Sequence, residues 1–111
     1  MGWRTGKYHA KKTTVDGIVF DSRKEADRYL VLKGMEEDGT IEDLRRQVRY
    51  ELVSAFDVDG KHYRPVFYVA DFVYVEDGKE VVEDVKGMRT DVYRLKSKLF
   101  ARRYGKSIRE T

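Results

Sequence analysis

The chain has 111 residues, 23 of them lysine or arginine and 20 aspartate or glutamate, for a formal net charge of +3. That length suits one domain with a hydrophobic core of its own, and the absence of cysteine excludes a disulfide framework, thiolate chemistry and a cysteine-type zinc site. No apolar run approaches the roughly 20 residues needed to cross a bilayer, and residues 1–12 lack the apolar core of a secretory signal, so the expectation is a cytoplasmic chain that leaves membranes alone. The charge is unevenly spread: +4 over residues 1–12, −8 over 13–85 and +7 over 86–111. Basic ends suit phosphate, and clustered acids suit a metal or a solvated face.

In chain order, Asp16-Gly17 between two short apolar segments predicts an N-terminal hairpin. Ser22 with Glu25 three residues later is a capping box. It opens a helix through Ala26, Tyr29, Leu30, Leu32 and Met35 that ends near Asp38-Gly39. Residues 47–53 alternate as a strand, and Asp59-Gly60 marks another turn. Residues 66–75 are apolar on both faces, as in a central strand buried on both sides. Asp77-Gly78 turns the chain into a strand over 80–86 that Gly87 ends. Thr90 or Asp91 opens a second helix with an apolar stripe of Val92, Leu95, Leu99 and Phe100, which Gly105 stops. Residues 106–110 predict a last edge strand. The order hairpin-α-β-β-β-α-β describes an α/β (α+β) sandwich, a mixed central sheet flanked by helices.

The Asp77-Gly78 hairpin fixes a register. A two-residue turn pairs Glu76 with Lys79 and Val73 with Val82, and so sets Asp71 opposite Asp84. Directly opposed residues have Cβ atoms about 4.5–5.5 Å apart, and two like charges so placed are destabilising. Asp71 also has Val69 and Val73 as its expected same-face neighbours, and burial of an unpaired carboxylate costs several kcal/mol. A divalent cation would relieve both penalties. Lys86, two residues beyond Asp84, projects from the same face. Two oxygen ligands and an ammonium are what metal-assisted phosphodiester hydrolysis needs: the metal activates water and neutralises developing charge, and Lys86 holds the water or the phosphorane. Glu83 alternates to the opposite face, beside Phe72. Glu25 has two readings, the capping box and an acid aimed from its helix at the metal. His9 and His62 have no partner spacing and no expected role.

An acid on the first helix (Glu25), Asp71 within Val69-Ala70-Asp71-Phe72, a hairpin, and Asp84-Val85-Lys86 together resemble the PD-(D/E)XK, or restriction-endonuclease-like, nucleases. The likeness spans roughly residues 18–110, with Ala70 where a proline often stands. Residues 7–12, 20–22, 68–72 and 82–87 are also similar to a family of small phage-encoded, Holliday junction resolvase-like proteins. The resemblance implies a restriction-endonuclease-like nuclease domain over 13–111 behind a basic arm at 1–12. It implies catalytic residues Lys86, Asp71, Asp84, Glu25 and Gln47, and a metal set of Asp71, Asp84, Val85 and Glu25 taking Mg²⁺ or Mn²⁺. The activity implied is endonucleolytic cleavage of DNA, extending to branched or nicked DNA in phage recombination, replication or packaging, within the host cytoplasm. Junction-cutting relatives are dimers, so a homodimer is among the implied states. DNA would lie on Lys7, Lys11, Lys12, Arg89, Arg94, Lys98 and Arg102. The rival expectations are a non-catalytic nucleic-acid-binding module that keeps the fold, and a protein–protein adaptor.

Overall fold

The computed structural model describes residues 12–86 and 89–111. Strands β1 (Thr13–Val15) and β2 (Ile18–Phe20) form the expected hairpin. Helix α1 (Arg23–Glu37) starts at the predicted cap, where Ser22 Oγ accepts from the Glu25 N–H at 3.1 Å. A longer strand than expected, β3 (Glu42–Val53), follows. Then comes a two-stranded ribbon, β4 (Phe56–Val58) and β5 (Lys61–Tyr63), separate from the main sheet. Across it His62 does find a partner, Asp57 Oδ1 at 2.9 Å. The chain continues through β6 (Val66–Glu76), β7 (Lys79–Asp84), α2 (Asp91–Tyr104) and β8 (Arg109–Glu110). The main sheet runs β3-β6-β7-β8, antiparallel except for β8, which lies parallel to β7. The structure is therefore mixed α+β, with a mixed sheet and two helices. Among the described residues no helix is long and apolar enough to cross a membrane. The arm residues Lys7, Lys11 and His9, together with Gly87, lie outside the described residues.

The sheet is sandwiched. On one face α1 buries Ala26, Tyr29 and Leu32 against Phe20, Ile41, Phe72 and Tyr74. On the other α2 buries Tyr93 and Phe100 against Leu52, Tyr68, Ala70, Val73 and Val82. Each large side chain so buried contributes about 1.5–3 kcal/mol. Helix α2 begins where Thr90 Oγ1 accepts from the Tyr93 N–H at 3.0 Å and ends at left-handed Gly105. Its buried face is not the expected stripe. Val92 is 63% exposed and Leu95 57%, while Tyr93 turns inward and Leu99 and Tyr104 pack beside Phe100. Tyrosine supplies the ring area that the aliphatic pattern assigned to valine and leucine.

Asp77 and Gly78 take φ of 54° and 77°, the positive pair of a two-residue turn whose twist suits a hairpin. The register follows as expected: Glu76 pairs with Lys79, Val73 with Val82 and Phe72 with Glu83. Glu83 lies on the α1 face, fully buried, where Arg28 Nε and Nη2 donate to it at 2.6 and 2.9 Å and Tyr74 and Thr111 hydroxyls add further bonds. Burial alone would raise its pKa; these donors outweigh burial and hold it below the usual carboxylate value.

The strict alternation expected of residues 66–75 fails at one point. Tyr68 and Ala70 pack toward α2, but Phe72 and Tyr74, of the same parity, pack toward α1. The partner strand changes over at the same level: Leu44 packs on the α1 side and Val48 and Tyr50 on the α2 side. No residue is inserted, because Arg46 pairs with Phe72 and Val48 with Ala70. Between them Gln47 holds a φ of 52°, a left-handed conformation that turns the chain over. Asp71 is thus not flanked by two buried valines on one face as expected; Val69 is 43% exposed, and Asp71 occupies the changeover itself.

A non-glycine residue in this conformation carries a steric cost of roughly 1–2 kcal/mol. Gln47→Gly should therefore raise stability by about 1 kcal/mol, and Gln47→Val, β-branched at positive φ, should lower it by more than that. Urea denaturation of the two variants checks this. A loss with glycine would mean that the Gln47 amide, not its backbone, is what the fold requires.

Candidate active site

Beyond the Phe72–Glu83 pair, Asp71 and Asp84 meet where β7 ends. The two acids arrive from different strands, yet they are within hydrogen-bonding reach of each other. Asp71 is partly buried, and its Oδ2 accepts from the Val85 N–H at 2.8 Å. Asp84 is 3% exposed. Its Oδ2 accepts from the Tyr68 hydroxyl at 2.7 Å, and its Oδ1 pairs with Lys86 Nζ at 3.1 Å. The Lys86 ammonium also lies 4.1 Å from the centre of the Tyr93 ring, and its backbone oxygen accepts from Lys24 Nζ at 2.9 Å.

Glu25 enters from the first turn of α1. Only the serine half of the capping box appears among its contacts; the glutamate side chain is 6% exposed and turned toward the sheet, with Gln47 Nε2 donating to Oε2 at 3.5 Å. Burial first, then the charge of Asp21, raises its pKa, with Asp84 adding to the rise and Arg46 and Lys86 opposing it. Arg46 stacks its guanidinium 4.6 Å from the Phe20 ring centre, and its Nε is buried without a hydrogen-bond partner.

The Asp71 carboxyl is pushed up to about 7. Burial is the largest cause, the hydrogen bond to Asp84 and the charges of Asp84 and Glu25 add to it, and the Val85 N–H works against it. The arrangement is two carboxyl groups in close approach, the Asp71 one raised in pKa, an ammonium on the Asp84 one, and a third acid close enough to feel the pair. Among the described residues, the three acids do not close into a single metal cluster as they stand. The structure thus brings together Asp71, Asp84, Lys86, Val85, Glu25 and Gln47. Tyr68, Tyr93 and Arg46 belong with them and carry no sequence signal, since each reads as an ordinary strand or helix residue until the register is known.

The basic residues are spread more widely. Lys12 pairs with Asp21 at 3.3 Å, Arg89 with Glu110 at 3.5 Å and Arg94 with Asp91 at 3.8 Å. Lys98 and Arg102 are exposed on α2. Arg89 and Lys98 line one groove of about 320 Å³ between α2 and the approach to β8.

Residues 5–111 match the family described as a protein of unknown function, DUF1064, and the chain belongs to that family. No curated protein and no solved structure matches it.

The raised Asp71 pKa has a stability consequence. A carboxyl raised from an unfolded value near 4 to about 7 keeps its proton in the folded state after the unfolded chain has lost it. Folding is then penalised progressively as pH climbs from about 4 to 7, and fully above that. Asp71→Asn keeps the shape, can still accept from Val85 and can donate to Asp84. In EDTA it should be more stable than wild type by on the order of 1 kcal/mol at pH 7.5, with the advantage gone by pH 4. Thermal melts at the two pH values check this; a destabilised Asp71→Asn at neutral pH would show that a cation holds the wild-type carboxylate.

Proposed function

We propose that this member of the DUF1064 family is a Mg²⁺- or Mn²⁺-dependent endonuclease that hydrolyses DNA phosphodiester bonds. The observation that carries the reading is the close approach of Asp71 and Asp84 at the end of β7, with the Val85 N–H on Asp71 Oδ2 and Lys86 Nζ 3.1 Å from Asp84 Oδ1. A purely structural site gains nothing from two like charges pressed together at a strand end. The order of elements supports the restriction-endonuclease-like fold that the sequence resembles, with the β4–β5 ribbon as an addition between the first and second core strands.

The donors are all oxygen, as a hard divalent cation requires, and the pair supplies the two negative charges that such an ion neutralises. When bound, the ion would supply Lewis acidity and an activated water. Asp71 and Asp84 would hold it. Lys86 would position the attacking water or meet the charge that grows on the phosphate, a role for an ammonium beside the metal ligands and not among them. Glu25, set back from the pair and itself raised in pKa, would act as an accessory acid. Val85 fixes Asp71 through its N–H; its place in the metal set would come only through its carbonyl. The basic surface of α2, with Arg89, Arg94, Lys98 and Arg102, would hold the phosphate backbone, which positions DNA without reading its sequence.

Supercoiled plasmid incubated with the protein should be nicked in Mg²⁺ and untouched in EDTA. Lys86→Ala should bind DNA and lose at least 100-fold in rate, on the scale of a lost transition-state contact of about 2.7 kcal/mol. Glu25→Gln should cost less rate than Asp84→Asn; equal losses would place Glu25 among the primary ligands. DNA binding without any nicking would instead identify a non-catalytic module. Replacing Arg94, Lys98 and Arg102 with alanine should weaken duplex binding and flatten the salt dependence by up to about 0.9 per lost phosphate contact. An unchanged slope would move the DNA off α2.

A further inference from the structure

Lys86 sits on a long, flexible stem, and a lysine of this kind loses rotamer entropy when fixed. One contact to Asp84 does not set the direction of its other two donors. A second contact does. The Tyr93 ring lies 4.1 Å from Nζ, well inside the roughly 6 Å over which a ring face attracts an ammonium. Tyr93 is buried in the core under α2, so the ring cannot swing away. Its hydroxyl donates to Glu110 Oε2 at 2.9 Å, and Glu110 is held in turn by Arg89 at 3.5 Å. Burial, and then the bond to Glu110, keeps the tyrosine hydroxyl protonated and so a donor.

We propose that Tyr93, braced by Glu110, is a positioning residue that seats the Lys86 ammonium between its ring face and Asp84. This rests on the reading of Lys86 as the catalytic lysine. A contact to the carboxylate and a contact to the ring together restrict where the Lys86 ammonium can sit. The C-terminal strand is part of the device. The Thr111 N–H donates to the Asp84 carbonyl at 3.0 Å and the Thr111 carbonyl accepts from the Lys86 N–H at 3.1 Å. That fixes the Lys86 backbone on the same strand that carries Glu110. Backbone and ammonium are thus located by neighbouring residues of one strand.

Two measurements on the full chain test this. In the proton spectrum, the ε-methylene of Lys86 should be shifted upfield by the ring and show cross-relaxation to the Tyr93 ring protons. Tyr93→Phe should keep the shift and Tyr93→Leu should abolish it. In plasmid nicking with Mg²⁺, Tyr93→Leu should lose about tenfold in kcat with KM for DNA unchanged, and Tyr93→Phe should restore most of that rate. In a Lys86→Ala background, Tyr93→Leu should cost nothing further. A multiplicative loss there, or a Tyr93→Leu protein with wild-type kcat, overturns the seat. So does a wild-type spectrum with no shift and no cross-relaxation, a result that stands even if Tyr93→Leu fails to fold. If the spectral signature is present and wild type does not nick, the seat survives and the nuclease reading fails.

Discussion

Edge strand β3 and its neighbour β6 turn over together at Gln47 and Asp71, and the position of every acid in the site depends on that changeover. With unbroken alternation, Asp71 would share a face with Val69 and Val73 and point wholly into one core or wholly out of it. Because Gln47 adopts a φ of 52°, the cover passes from α2 to α1 across one residue, and Asp71 lies on the seam. A polar group on a seam still needs a partner. It finds one in the Val85 N–H at 2.8 Å, which is available to it because β7 ends at Asp84. The same seam lets the first turn of α1 approach, so that Glu25 reaches Gln47 from the other layer.

Adjacent residues of β7 show how little burial by itself decides. Glu83 and Asp84 are both buried, on opposite faces. Glu83 receives two nitrogen donors from Arg28 and two hydroxyls, and is held ionised. Such a pair costs several kcal/mol of desolvation and is stable only when its remaining lone pairs are met, which here they are. On the other face Asp71 meets no arginine among the described residues, and burial together with the neighbouring Asp84 raises its pKa. One face of the strand is an anchor: Glu83 ties α1, the sheet and the C-terminal residue Thr111 to each other. The opposite face is left electrostatically unfinished, within a frame rigid enough to hold it so.

Much of the frame was legible because it rests on local rules. Asp-Gly at 77–78 can make only a few turns, and the register of β6 on β7 follows from it, including the approach of Asp71 to Asp84. Ser22 and Thr90 announce their helices through hydroxyls that reach the third N–H of each turn. Other features were hidden. The changeover at Gln47 was invisible because nothing marks a glutamine for positive φ; a glycine there would have been noticed. The inner face of α2 was misassigned because Val92 and Leu95 look apolar, whereas the ring of Tyr93 buries more area and has a polar end that finds Glu110. The length of β3 was missed because residues 42–46 are mostly charged, and Arg45 finds partners in Glu80 of β7 at 3.1 Å and Asp43 at 3.5 Å that help them lie in a sheet. The expected contribution of Lys7 and Lys11 falls outside the described residues.

Three departures from ordinary folding rules coincide within one pair of strands: a non-glycine residue at positive φ, a reversal of side-chain alternation without an inserted residue, and a carboxyl carried to about 7 beside a second acid. A positive φ also occurs at Asp43, where the β3–β6 ladder shifts register; elsewhere in the described chain the turns have the residues they require, the helices are capped and the fully buried acid is matched by donors. Each departure is unfavourable by itself, and none relieves another: the left-handed glutamine creates the seam, the seam exposes the aspartate to its neighbour, and the neighbour raises its pKa. Costs that accumulate in one place set this pair of strands apart from the rest of the described chain. Under the proposed reading, a small divalent cation beside the aspartate pair would lower the electrostatic part of that cost at once.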